Sequence, residues 1–365
     1  MKFSAAREAI LRPVQAVIGV VERRQTMPIL SNVLLNVKDD KLSVTATDLE
    51  VELVAEADVE QQAGGEITVP GRKFHDICRA LADGSHIEIA LSGERLTVKA
   101  GRSRFTLSTL RAADFPTVDE VSAQQTLQVE EKNLHTLIDK TQFSMAQQDV
   151  RYYLNGLLLE TAGKRLRAVA TDGHRLAMSE MMLSTEVIKE DQVIVPRKGV
   201  LELNRLLDGS AEVLVMIGAN HIRVEKEGIR LTSKLIDGRF PEIQGVIPKD
   251  PGNVIKADRE LLRQALHRTA ILSNEKYRGV RLELAENSIV MQANNPEQEE
   301  ALETLEVEYG GQEMEIGFNV NYLLDALQAI DTKEVCIALV DGNSSCLITA
   351  PGDDTTKYVV MPMRL

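Results

Sequence analysis

Tryptophan is absent from this 365-residue sequence, and aromatic residues of all kinds make up only 4%. Proteins that bind single strands by stacking bases need more aromatic surface than this. Cysteine is nearly as scarce: Cys78, Cys336 and Cys346 share no C-x-x-C spacing. That sparse, odd count argues against a disulfide framework or a structural zinc site and fits a reducing cytosol. No run approaches the ~18 apolar residues of a membrane span. The opening Met1-Lys2-Phe3-Ser4-Ala5-Ala6 has no apolar core before a cleavage site, so no secretory signal is expected. Positive charge is also in deficit. A net charge of -13 argues against a protein whose whole surface coats nucleic acid. What remains is an ordinary globular composition, with 44% hydrophobic and 27% charged residues. The length suggests two or three domains.

What the sequence does contain is a long-period repeat. Helical apolar spacing recurs at residues 7–21, 131–146 and 258–273. Each helix precedes a pair of alternating segments, at 29–37 and 41–48, at 153–160 and 165–172, and at 277–284 and 288–294. The pairs end at Asp48, Asp172 and Asn294, spaced by 124 and 122 residues. A second helix then opens at Val69-Pro70-Gly71-Arg72-Lys73, at Val195-Pro196-Arg197-Lys198-Gly199 and at Ile316-Gly317-Phe318-Asn319. Further hairpins follow at 87–100, 212–226 and 335–350, and each unit closes on Phe115-Pro116, Phe240-Pro241 or Met361-Pro362. Three units with two helices and two groups of strands each are therefore expected. Their boundaries fall in polar stretches near 122–125 and 249–253, giving domains 1–124, 125–250 and 251–365.

Charge is distributed unevenly over that repeat. The six helical stretches sum to +6, which leaves -19 for the rest of the chain. A basic helical surface within an acidic protein suits phosphate contacts that position a partner without reading sequence. Solvated helix faces carry such charge too, so this pattern alone leaves both readings open.

Catalytic signatures are missing. There is no HExxH, GxSxG or phosphate-binding loop, and Gly65 to Gly71 has the wrong spacing for the last. Thr171-Asp172-Gly173-His174-Arg175 is the most enzyme-like string, because an Asp and a His two apart can share a proton or a metal. The repeat sets Asp48-Leu49-Glu50 and Asn294-Asn295-Pro296 at equivalent places, which makes Asp172 a turn residue after a strand. No catalytic residue, cofactor or metal is expected. The acidic run Glu297-Gln298-Glu299-Glu300 reads as a solvated or interface face.

Several strings together resemble one family. They are Phe143-Ser144-Met145-Ala146, Asp149-Val150-Arg151-Tyr152-Tyr153-Leu154-Asn155-Gly156, Thr171-Asp172-Gly173-His174-Arg175-Leu176, Ile271-Leu272-Ser273-Asn274-Glu275-Lys276 and Tyr358-Val359-Val360-Met361-Pro362-Met363-Arg364-Leu365. They resemble the bacterial beta sliding clamp, the processivity subunit of DNA polymerase III, and the similarity runs from Met1 to the last residue. The resemblance implies an α+β fold of three clamp domains, each with two helices on antiparallel sheets, closing as a head-to-tail homodimeric ring. Such a ring encircles double-stranded DNA without sequence specificity, with helices inside and sheets outside. It tethers the replicative polymerase and other replication and repair proteins, and a separate ATP-driven clamp loader opens it. A cytoplasmic, nucleoid-associated location follows from that role.

The resemblance also assigns residues. A pocket for short apolar clamp-binding peptides is implied at Leu154, Thr171, Gly173, His174, Arg175, Leu176, Pro241, Val246, Ser345, Val359, Val360, Met361, Pro362, Met363 and Arg364. Leu, Val, Pro and flexible Met suit an adaptable groove. Gly245 stands where the familiar pattern has a basic residue. DNA contacts are implied at Arg24, Gln148, Tyr152 and Tyr153, with Arg72, Arg197 and Lys198 at helix starts. Adjacent tyrosines cannot face one way on a regular strand, so a loop exposing both is expected. Phe105 and Leu107 share one strand face and are expected to meet Ile271 and Leu272 at the dimer interface.

Overall fold

The computed structural model describes residues 1–21, 27–118, 121–187, 189–209, 211–249 and 251–364. The chain opens with β1 (Lys2–Ala6), α1 (Arg7–Val17), β2 (Asn32–Lys38), β3 (Lys41–Thr47) and β4 (Val51–Asp58). It continues through β5 (Glu60–Ala63), β6 (Gly65–Pro70), α2 (Gly71–Ala80), β7 (His86–Ser92), β8 (Arg95–Ala100) and β9 (Ser103–Ser108). The same order returns as β10 (Ala123–Glu130), α3 (Glu131–Asp139), β11 (Gly156–Ala162), β12 (Arg165–Thr171) and β13 (Arg175–Met182). Next come β14 (Asp191–Pro196), α4 (Arg197–Leu206), β15 (Glu212–Gly218), β16 (His221–Lys226) and β17 (Ile229–Lys234). A third pass gives β18 (Asn253–Asp258), α5 (Arg259–Ala270), β19 (Gly279–Ala285), β20 (Ser288–Asn294) and β21 (Glu300–Glu306). It ends with β22 (Met314–Asn319), α6 (Val320–Gln328), β23 (Glu334–Leu339), β24 (Cys346–Thr349) and β25 (Thr356–Val360).

The helices end where their side chains stop supporting them. α1 was expected to reach Val21 but stops at Val17, within the β-branched run 17–21 that Gly19 interrupts. α3 stops at Asp139 rather than Ala146. Thr141 donates its hydroxyl back to the Leu137 carbonyl at 2.8 Å, and a short 3₁₀ turn, Gln142–Ser144, replaces the last turns. Asp258 caps α5 by accepting from the Glu260 and Leu261 amides, each at 3.0 Å. The strand reading was incomplete. A strand precedes each first helix, and a third joins each hairpin, as β4, β13 and β21 do in one group and β9, β17 and β25 in the other.

Two compact units result, one of Met1–Leu134 with Lys198–Leu235 and one of His135–Arg197 with Ile236–Leu365. The first holds a five-stranded sheet, β5-β1-β7-β8-β9, and an eight-stranded sheet, β10-β15-β16-β17-β4-β3-β2-β6. The second holds an eight-stranded sheet, β14-β11-β12-β13-β25-β24-β23-β18, and a four-stranded one, β21-β20-β19-β22. Both eight-stranded sheets are joined alike, by the third strand of one group pairing antiparallel with the third strand of the next: β4 with β17, and β13 with β25. The two remaining third strands, β9 and β21, lie at sheet ends. In the second unit, Leu262 and Leu266 of α5 and Leu323 and Leu327 of α6 pack with Phe318, Ile337 and Tyr358 in one core. Each such side chain contributes about 1.5–3 kcal/mol on burial.

One buried charge cluster secures the first unit. Glu131, 1% exposed, opens α3 and accepts from Lys226 and from the Asp208 amide. Burial alone would raise its pKa, but Lys226 and the amide outweigh that and hold it below the ordinary value. A depressed carboxylate pKa contributes stability that is present above the unfolded value and lost as pH falls through the folded one. Lys226→Met strands the buried carboxylate and is expected to cost about 3 kcal/mol at neutral pH, lowering Tm by roughly 6–12 °C. In the variant Glu131 protonates readily, so the gap from wild type narrows as pH drops towards 4. Melting curves at pH 7.5 and pH 4 check both points.

Candidate functional site

The second unit carries an apolar groove that starts at the β12–β13 turn. Asp172 accepts through Oδ1 from the His174 amide at 2.9 Å and the Arg175 amide at 3.0 Å. Thr171 Oγ1 accepts from the Gly173 amide at 3.1 Å and donates to the Arg175 carbonyl at 2.6 Å. Gly173 has φ +88°, and a Cβ there would come within 3.0 Å of the Arg151 guanidinium. Glycine therefore holds the turn open beside Arg151. With Oδ1 bridging two amides and Oδ2 3.1 Å from Arg175 Nε, Asp172 is a turn residue.

The groove floor is a cross-strand pair, Leu176 opposite Val359. Both are buried against Leu158, Val169, Met178, Ile194 and Phe240. The 3₁₀ turn Tyr152–Asn155 supplies Tyr153 and Leu154 to one wall, and Pro241, Glu242, Ile243 and Val246 form another. Met361 closes one end, its amide donating to the His174 carbonyl at 2.8 Å. The enclosed volume is about 170 Å³, room for a few apolar side chains.

Most of the expected pocket residues converge here: Leu154, Thr171, Gly173, Arg175, Leu176, Pro241, Val246, Val359 and Met361. Others do not line the cavity. Ser345 supports a wall by donating to the Val246 carbonyl at 3.2 Å. Val360 packs in the core of the second unit. His174 is exposed at the rim, and Pro362 is half-buried beyond Met361. Met363 and Arg364 face a separate, polar hollow of about 720 Å³ with Tyr277, Arg281 and Asn294. Arg175 reaches the groove but spends its guanidinium elsewhere: on Asp172, on Asp325 at 2.5 Å, on the Phe143 carbonyl at 2.7 Å, and over the Tyr322 ring at 4.6 Å. Arg151, Glu242 and Ile243 were not expected. Ile243 follows Phe240-Pro241 in a stretch that the repeat marks only as a unit end. Arg151 is fixed by Asp149, whose carboxylate it holds down to about 2.

Comparison with known proteins settles the family. Models of the N-terminal, central and C-terminal domains of the DNA polymerase III beta subunit match residues 1–119, 128–242 and 244–364. The beta sliding clamp of Pseudomonas putida is 55% identical, with all of both chains covered. The chain belongs to the DNA polymerase III beta subunit family. Among solved family members, a beta subunit from Pseudomonas aeruginosa matches with a TM-score of 0.96 at 54% identity over the whole of both chains. A sliding clamp from the same organism, bound to griselimycin, matches at 0.97 with 54% identity over the same coverage.

The remaining expectations on this beta subunit family member concern charge and edges. Arg24 lies outside the described residues. Arg72, at the first turn of α2, donates to the Val21 carbonyl at 2.7 Å. Lys198 is ion-paired with Asp48 at 2.5 Å. Arg197 donates to the Met145 carbonyl at 3.3 Å, and burial, then Arg175, lowers its pKa. Gln148 is exposed with φ +55°. The two tyrosines part company: Tyr152 is 59% exposed, whereas Tyr153 packs into the groove wall, their rings meeting edge to face at 6.1 Å. The 3₁₀ turn sends neighbouring side chains in different directions, which a loop exposing both did not anticipate. Phe105 and Leu107 lie on the same face of β9, at a sheet end. Ile271 is 69% exposed just past α5, with Leu272 half-buried beside it.

Proposed function

We propose that two copies of this chain close head to tail into a ring around duplex DNA, and that the groove of each copy holds apolar peptides of the replicative polymerase and other replication and repair proteins. The protein then confers processivity without catalysis of its own. The observation that carries this reading is the pair of open strand ends. β4 pairs with β17 over Val51–Ala55, and β13 with β25 over Arg175–Ser179, by one rule of connection. The same rule applied to β21 and β9 sets Ala301 opposite Phe105 and Glu303 opposite Ser103. A second copy thus pairs both of these open edges, joining the five-stranded and four-stranded sheets of neighbouring copies as β4–β17 and β13–β25 join strands within one chain. The same register sets Arg104 opposite Leu302, with Glu300 diagonal to it on the same strand face. The three-domain division at 124 and 250 places one such junction between each pair of neighbours.

Contact with DNA is then loose. Arg205 pairs with Glu202 at 2.8 Å, Arg263 with Glu260 at 2.7 Å and Arg268 with Glu303 at 2.7 Å. With these helical cations of the described residues already paired, retention rests on topology more than on affinity. The test is retention on DNA after loading by an ATP-driven loader. The protein is expected to stay on a nicked circle through gel filtration and to leave within minutes once a restriction enzyme linearises it. Equal retention on circular and open-ended DNA would sink the reading.

A further inference from the structure

The first unit contains a counterpart of the groove. Across β3, β4, β17 and β16 the register aligns Thr47, Glu52, Thr232 and Arg223 in one row. Across β12, β13, β25 and β24 the same row reads Thr171, Leu176, Val359 and Leu347. The turns beside the rows are built alike. Asp48 Oδ1 accepts from the Glu50 amide at 2.9 Å and the Val51 amide at 2.7 Å, and Thr47 Oγ1 from the Leu49 amide at 3.1 Å. Leu49 even takes φ +77°, where the groove has Gly173 at +88°. Ile29, Leu34 and Phe115 cluster with Leu30 as Tyr153, Leu158 and Phe240 do at the groove.

The floor is what differs. Leu176 and Val359 are replaced by Glu52, 2% exposed, and Thr232, 1% exposed. Arg223, also buried, donates through Nε to Thr232 Oγ1 at 3.0 Å. Glu52 Oε2 accepts from the Val118 amide at 2.8 Å. Val118 holds the place of Ile243, counted from Phe115-Pro116 and Phe240-Pro241. That bond therefore ties the segment at Val118 down onto the floor. Leu176 offers no acceptor, so nothing at its position can draw Ile243 down in the same way. Taking an apolar side chain at the first site would mean breaking these bonds and leaving buried charge unpaired.

We propose that this row is a closed copy of the peptide groove, and that the Glu52–Thr232–Arg223 cluster is the specificity determinant confining apolar peptides to one groove per chain. The proposal rests on the peptide-groove reading above. Griselimycin, seen on a relative, serves as probe, counted by native mass spectrometry on variants whose fold is verified by circular dichroism and melting. Wild type is expected to take one per chain. Glu52→Leu/Thr232→Val/Arg223→Leu is expected to take two, and the reciprocal Leu176→Glu/Val359→Thr/Leu347→Arg none. A folded first variant that still takes one overturns the proposal. Should that variant not fold, the reciprocal decides, and binding within about threefold of wild type overturns it. Wild type taking none overturns the groove reading itself, and this proposal with it.

Discussion

A Leu176→Asp chain is expected to bind a clamp-binding peptide about a hundredfold more weakly or worse, with its sedimentation unchanged. Leu176 lies on the groove floor, 3% exposed, opposite Val359 and over Phe240 and Met178. The cations that reach the groove, Arg151 and Arg175, are already held by Asp149 and by Asp172 and Asp325. Burying it under a peptide costs several kcal/mol, and every 1.4 kcal/mol is tenfold in affinity. Leu176 is already buried in the groove, so melting of the free chain is measured alongside to separate lost affinity from lost fold. Fluorescence anisotropy with a labelled peptide measures the loss, and affinity within threefold of wild type would remove the groove from the mechanism.

The second large effect concerns assembly. Ile271→Asp combined with Leu272→Ala is expected to convert dimers to monomers at micromolar concentration, read by sedimentation velocity. Ile271 is a large apolar side chain 69% exposed just past α5, with Leu272 beside it, where the proposed ring sets it against Phe105 and Leu107 of a second copy. Each head-to-tail contact loses two apolar side chains and gains a charge, on the order of 3 kcal/mol or more. A ring of two has two such contacts, so closure is weakened twice. Wild type and variant running with the same mass would count against the proposed dimer, and a wild type that is itself monomeric would end it.

The repeat was legible because it is written in features that survive substitution. Helix-start signals, strand alternation and a closing Pro after an apolar residue recur whatever the intervening residues are. Third strands such as β4 and β13 were missed, since Val51–Ala55 and Leu176–Ser179 are buried runs without alternation. The groove was legible only in part. Its floor residues carry long apolar strings, but Ile243 and Glu242 enter through a loop whose path depends on Phe240 being buried. Arg175 shows a different limit. Sequence places it beside the groove, but only packing reveals that Asp172, Asp325 and Phe143 already claim its donors. The split of Tyr152 from Tyr153 likewise follows from a single 3₁₀ turn that no periodicity announces.

The paired helical cations have a mechanical meaning as well. A lysine held by Asp48 or an arginine held by Glu202 has already spent most of its attraction before any phosphate arrives. As a duplex advances past such groups, the energy rises and falls little from one phosphate to the next. Friction scales with the height of those ripples, not with the mean attraction. In the proposed ring, the paired cations therefore act as a bearing surface that keeps the duplex centred at low cost.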